Sequence, residues 1–147
     1  MALIKKLWTE PKVNFEGKHC RAKRTVLLPK PVQKPHPALL FGGKSPKMLK
    51  LAGKYADICF ISEEKPKEFL AAKDEVIRAS NTHKRPKAPS FACVVGFKTL
   101  LQKDEYRSRI EQASELGVSY IVTVVEQEHD YSEFLRFLAA DIMPSFR

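Results

Sequence analysis

Residues 38–61 read ALLFGGKSPKMLKLAGKYADICFI, and this stretch decides the fold. Ala38-Leu-Leu-Phe41 is a short apolar run closed by Gly42-Gly43. Ser45-Pro46 has the form of a helix start, with Ser as N-cap and Pro at the first helical position. Met48, Leu51, Ala52 and Tyr55 fall at i, i+3, i+4 and i+7, which predicts one apolar helical stripe. Ile58-Cys-Phe-Ile61 is a second apolar run, too short for a helix. Strand, glycine turn, helix and strand follow each other without a gap.

The rhythm continues toward the C-terminus. Pro66 opens a second helix, with Phe69, Ala72, Val76 and Ile77 on one face. Phe91–Phe97 is a third strand. Tyr106, Ile110, Ala113 and Leu116 mark a third helix, ended by Gly117 as C-cap. Tyr120–Val125 is a fourth strand. Phe134, Phe137, Leu138 and Ile142 mark a last helix, stopped by Pro144. Four strand-helix units predict the α/β class with a parallel sheet. The strands are continuously apolar, which predicts burial on both faces. A small doubly wound sheet and half of an eight-stranded barrel both satisfy this rhythm, and periodicity does not choose between them.

Toward the N-terminus the chain changes character. Pro29–Pro37 holds four prolines in nine residues and should run extended. Before it, Val13–Cys20 alternates around Glu16-Gly17 and predicts a small hairpin. Leu3, Ile4, Leu7 and Trp8 have helical spacing up to Pro11 and look like the end of a helix. The expected organisation is one domain over 1–147. Residues 1–37 hold the helix end, hairpin and proline stretch, and 38–147 hold the four units.

Composition narrows the function classes. The chain has 147 residues, 44% hydrophobic and 29% charged, a globular balance. No apolar run approaches the roughly 20 residues of a membrane helix, and Met1–Glu10 lacks the pattern of a secretory signal. Cys20, Cys59 and Cys93 are far apart and form no CxxC. That excludes a zinc ribbon and predicts buried thiols in a reducing cytoplasm. The net charge of +9 is unevenly placed. Residues 1–54 hold thirteen Lys/Arg against Glu10 and Glu16, a local +11; residues 55–147 hold thirteen against fifteen acids, a local −2. A basic front portion suits a polyanion, a phosphate ligand or an acidic surface.

The strongest local signal for chemistry is Phe41-Gly-Gly-Lys-Ser-Pro46. Backbone N–H groups of a glycine turn and a helix start converge on one spot, and the helix dipole makes it positive. Lys44 adds charge and Ser45 a hydroxyl. The pattern is neither a Walker A loop nor GxGxxG. A phosphate cradle and an ordinary turn with an N-cap both remain open on these residues alone. Glu126 and Gln127, in the acidic stretch Glu126–Asp130, follow the fourth strand, and Glu63-Glu64 follow the second. In parallel sheets, ligands gather at such strand ends, although a solvated acidic loop has the same composition. Asp57, at the opposite end of its strand, reads as structural. His19, His36, His83 and His129 show no metal-ligand spacing, and GxSxG is absent. Lys18–Arg24 is a basic run beside Phe15. No nucleic-acid recognition motif surrounds it, so a solvated hairpin edge is expected rather than a nucleic-acid site.

Several stretches in order resemble the luciferase-like flavin- and deazaflavin-dependent oxidoreductases. They are Leu7-Trp-Thr-Glu10, Val13-Asn-Phe-Glu-Gly-Lys18, Leu28-Pro-Lys-Pro-Val-Gln-Lys-Pro-His-Pro37, Phe41–Asp57 and Ile142-Met-Pro144. The resemblance implies the C-terminal half of a (β/α)8 TIM barrel, about four units, since a whole barrel takes roughly 200–250 residues. It implies that Gly42, Gly43, Lys44 and Ser45 form the phosphate-binding loop for FMN or coenzyme F420. It also implies oxidoreductase or monooxygenase chemistry at a ring that the family cradles largely with its first four strands, so no residue here takes a catalytic role by resemblance. The chain departs from the family at Pro37-Ala-Leu-Leu-Phe41 and Ala56-Asp-Ile-Cys-Phe60, where plainer or bulkier apolar residues replace an aromatic and a glycine. The expected partners are the flavin-type cofactor and an N-terminal half-barrel chain or a second copy. The alternatives are a remnant or assembly subunit that dimerises without cofactor and, behind it, a basic nucleic-acid-binding module.

Overall fold

The computed structural model describes residues 1–62, 65–97, 103–125 and 131–146. The chain divides into two compact units, 1–39 and 40–147.

In the first unit, helix α1 (Ala2–Thr9) ends where Glu10 turns extended ahead of Pro11. Its terminal carbonyls have no helical partner. The Lys30 ammonium reaches across from the proline stretch and donates to Leu7 O at 2.7 Å and to Glu10 O. The Trp8 ring lies 5.9 Å from His36. Strand β1 (Val13–Glu16) pairs antiparallel with β2 (Arg21–Thr25). The hairpin is therefore longer than the alternation suggests. Its turn spans Gly17–Cys20, closed by Gly17 N–H donating to Cys20 O, and the second strand starts only at Arg21. A register irregularity between Val13 and Phe15 is matched by Arg24 at φ 50, whose N–H donates to Asn14 Oδ1 at 2.8 Å.

The second unit carries a parallel sheet in the order β3 (Leu40–Gly42), β4 (Ile58–Phe60), β5 (Ser90–Phe97), β6 (Tyr120–Val125). The crossovers are α2 (Pro46–Tyr55), α3 (Pro66–Thr82) and α4 (Lys103–Glu115). Helix α5 (Tyr131–Phe137) follows β6 and runs into a wide π turn over Leu138–Ile142 and a 3₁₀ turn over Met143–Phe146. The four strand-helix units stand as the periodicity predicts. The core joins helix residues Phe69, Val76, Tyr106, Ile110, Phe134 and Phe137 to strand residues Cys59, Phe91, Cys93 and Val95. Tyr106 meets the edges of Phe134 and Phe137, each at 6.1 Å.

Two expectations need correcting. Burial on both faces holds only for part of β5, where Phe91, Ala92 and Cys93 are buried in succession; it fails at the edges of the sheet. Along β6, exposed and half-buried positions alternate, with Tyr120, Val122 and Val124 about half exposed. The helices cover one face of the sheet, and the other is apolar yet open. Helix α2 also buries a different stripe from the one its spacing suggested. Leu49, Ala52 and Gly53 are buried, whereas Met48, Leu51 and Tyr55 are only half-buried.

Gly53 explains that rotation. A Cβ there would lie 2.5 Å from both the Ala79 Cβ and the Val76 carbonyl oxygen of α3. The two helices cross on bare backbone at this point. The crossing is locked by Arg85, which follows α3: its guanidinium donates to Gly53 O and Ala56 O at the end of α2 and lies 3.6 Å from Asp57. Lys73 does the same for α4, donating to Leu116 O at 2.7 Å while lying over the Phe91 ring. Gly117, at φ +79, closes that helix as expected.

Gly53→Ala should push the helices apart and cost about 1–3 kcal/mol, the usual range for overpacking. Arg85→Met should cost about 1–3 kcal/mol by leaving the carbonyls unpaired. Urea unfolding midpoints check both.

Candidate functional site

The glycine turn sits at the carboxyl end of β3. Gly42 is the last strand residue, one of a hydrogen-bonded row that runs Gly42, Phe60, Ala92, Tyr120 across the sheet. Gly43 has φ +132, a conformation that L side chains rarely adopt, and a Cβ there would press on Met48 at 3.4 Å. Glycine is required at this position by its backbone. At Gly42 a Cβ would meet only Phe60, at 3.7 Å; a small residue there keeps the strand end open rather than relieving strain.

Ser45 caps α2 from an extended conformation, its Oγ accepting from Met48 N at 3.3 Å. An accepting hydroxyl still has its proton to donate. Pro46 occupies the first helical turn, which lacks acidic residues. Helix α2 instead carries Lys47, Lys50 and Lys54, with Lys44 just ahead of it. The helix start is therefore positive both by dipole and by side chain. Gly42, Gly43, Lys44 and Ser45 thus stand together at one strand end. What the turn offers chemically is hydrogen-bond donors of the kind an oxyanion takes, from the Lys44 ammonium, the Ser45 hydroxyl and backbone; it contains no carboxylate, imidazole or thiol.

A groove of about 440 Å³ lies beside the turn between α2 and α3, lined in part by Lys44, Leu49, Ile61, Glu68 and Glu75. Lys50 lies 3.8 Å from Glu75. The two acids make this groove a poor continuation of an anion site.

The remaining candidates separate clearly. Asp57 lies at the amino end of β4 beside Arg85, where its role is structural. Glu63, Glu64, Glu126, Gln127 and the rest of the acidic stretch lie outside the described residues. Pro37 O accepts a hydrogen bond from His36 Nδ1 at 2.8 Å. Among the described residues no group of three or more His, Cys, Asp and Glu could hold a metal. No described helix is long and apolar enough to cross a membrane. The basic run on the hairpin is exposed.

The cysteines divide. Cys59 and Cys93 are buried as expected, but Cys20 is exposed. Burial pushes the Cys59 thiol up to about 11. It also pushes Cys93 up, with Arg109 opposing. Burial raises Tyr106 as well, against its 2.6 Å hydrogen bond with Thr123 Oγ1. None of these groups is poised as a nucleophile.

The spacing argument missed Phe60 and Tyr120, which share Gly42's row on the open face of the sheet. In an unbroken apolar run, nothing distinguishes the face toward the helices from the face away from them.

One family model and three solved structures bear on this geometry. A family model described as luciferase-like monooxygenase matches residues 1–139. A coenzyme F420-dependent tetrahydromethanopterin reductase from Methanopyrus kandleri superposes at TM-score 0.81 with 14% identity, over 98% of this chain and 61% of that one. An F420-dependent secondary alcohol dehydrogenase, solved with an F420-acetone adduct, gives 0.79 with 15% identity, over 99% and 59%. EDTA monooxygenase from Chelativorans sp. BNC1 gives 0.53 with 15% identity, over 75% and 32%. At these identities the likeness is one of fold. The chain spans about three-fifths of the length of the first two.

In the folded chain at neutral pH, a thiol alkylating agent should modify Cys20 fast and Cys59 and Cys93 only on unfolding, as read by intact mass. The raised Cys59 pKa means the native state holds a proton that the unfolded chain releases. Stability should therefore fall as pH rises from about 9 toward 11, and Cys59→Ala should flatten that slope in pH-dependent denaturation.

Proposed function

The chain belongs to the luciferase-like monooxygenase family, and from that premise we propose that it is half of a flavin- or F420-dependent oxidoreductase barrel. Its part is to hold the cofactor's phosphate on Gly42, Gly43, Lys44 and Ser45. The observation that carries this reading is the Gly43 backbone at φ +132, set between a strand end and a Ser-capped helix start without acids.

The residues fit the group. Gly43 holds the turn at a φ that other residues rarely adopt; Pro46 has no N–H and the Met48 N–H is taken by Ser45 Oγ, so in the first turn of α2 the Lys47 N–H is the amide left to donate to a phosphate oxygen. The Ser45 hydroxyl offers a proton while its lone pair keeps the cap. Lys44 supplies positive charge at the turn. The cofactor, when bound, supplies hydride or oxygen chemistry at its ring. The chain's own contribution is to fix one end of it. The sheet row beside the turn, Phe60 and Tyr120 among it, offers an apolar wall that excludes water from whatever lies against it.

Four strands make half of an eight-stranded barrel. The other four come from a preceding segment, a separate chain or a second copy, and they bring the groups that act on substrate. The two F420-dependent structures and the monooxygenase above are the grounds for the cofactor class. A second reading, an assembly subunit that needs no cofactor, draws on the same open face, whose described residues include no ionised side chain.

Titration of the chain with FMN and with F420, followed by cofactor fluorescence, tests the proposal. Ser45→Asp keeps a good N-cap but sets a carboxylate against the phosphate, so it should weaken binding by about tenfold or more, ~1.4 kcal/mol, with unfolding unchanged. Gly43→Val should weaken it similarly. Ser45→Ala should cost about 1 kcal/mol of stability from the lost cap. Wild-type protein that takes up neither cofactor at high micromolar concentration sinks the reading in favour of the assembly subunit.

A further inference from the structure

The open face of the sheet exposes Leu40 at 56%, Tyr120 at 51%, Val122 at 47% and Val124 at 52%. The register aligns these with Ile58, Phe60 and Val94 as one apolar surface. Large exposed apolar surfaces mark interfaces. Among the described residues, no strand pairs with the outer edge of β3 or of β6, and unpaired edges are templates for another chain.

We propose that a second copy of this chain closes the sheet into a two-fold, eight-stranded barrel. The proposal names the partner for the site described under the proposed function, and it rests on that reading only in what closure does for the cofactor.

The edges fit each other. All four strands run in the same direction, so β6 of one copy can pair with β3 of the other in the parallel manner already used within the sheet. A two-fold axis along the strands makes that pairing twice and leaves no edge unpaired. Eight strands enclose an interior that side chains just fill. The inward positions have the bulk this needs. The row Gly42, Phe60, Ala92, Tyr120 alternates small and large. An eight-stranded barrel staggers its register around the circuit, and the two-fold axis divides that stagger equally between the halves, so β3 of the second copy meets β6 of the first displaced along the strand rather than in this row. With no ionised group among the described residues of this face, closing it strands no charge in an apolar interior. Helices on the outer face remain outside, so closure requires no rearrangement of the core. It would also bring two glycine turns to the same end of one barrel.

Light scattering coupled to size exclusion, in reductant and without cofactor, should give twice 16.7 kDa at tens of micromolar. Val122→Lys should give a monomer with unchanged helical circular dichroism. Leu70→Lys, on the exposed side of α3, should leave the dimer intact. Should Val122→Lys fail to fold, amide exchange on the wild-type chain decides. Leu40–Gly42 and Tyr120–Val125 should both be protected, and both should lose protection on dilution. A wild-type monomer overturns the proposal. So does a ladder of open oligomers, a dimer indifferent to Val122→Lys, or protection of one edge strand without the other. A closed dimer that ignores FMN and F420 would overturn the cofactor reading and leave this one standing; a monomer that binds either cofactor would do the reverse.

Discussion

Parallel strands can be joined only by crossovers, and in this chain the crossovers all lie on one side of the sheet. Most of the architecture follows from that constraint. Three helices must turn back at their C-terminal ends to deliver the next strand, and each turn exposes carbonyls that the helix no longer satisfies. At α3 the backbone itself supplies donors, Lys84 N–H to Asn81 O and Arg85 N–H to Ser80 O; at α2 and α4 cations held by neighbouring segments do so. Arg85 closes α2 and also grips Asp57 at the start of β4. Lys73 closes α4 from its seat over Phe91. The first unit repeats the device, with Lys30 closing α1.

One-sided coverage also explains the position of the glycine turn. With the helices outside, every helix start after a strand lies at the carboxyl end of the sheet. The junction after β3 combines a positive-φ glycine, a Ser cap and a helix without early acids. The other helix starts differ: α3 has Lys65 as N-cap, without a side-chain cap bond, and Glu68 in its first turn; α4 begins with Asp104 and Glu105. The local sequence after β3 is what the proposed anion role draws on.

Much of this was legible in the residues. Short apolar runs punctuated by Gly42-Gly43, Pro66 and Gly117 carry the strand-helix order, because glycine and proline act locally. The Ser45 cap and the turn were legible for the same reason. What depends on a distant neighbour was not. Gly53 looks neutral in its helix, yet its lack of a side chain lets Ala79 approach and turns the buried stripe to Leu49. Val122 and Ile121 are equally apolar, and only the helices decide which one is covered. The hairpin slipped from Cys20 to Arg21 because its turn is closed by backbone hydrogen bonding, which side-chain alternation does not report. In the sequence Arg85, Lys73 and Lys30 contribute only to the net charge; their task is set by carbonyls 20 to 43 residues away.

The cation caps have a consequence for chemical footprinting. Acylating reagents that map accessible amines record how available each ammonium is. Lys18 and Lys23 on the hairpin stand in solvent. Lys30 and Lys73 must first release the carbonyl oxygens they hold. They should therefore react late even in the isolated chain, and their silence would imitate the shadow of a bound ligand. A reactivity map of this protein becomes interpretable only against a reference in which those two lysines are already treated as part of the backbone's own hydrogen bonding.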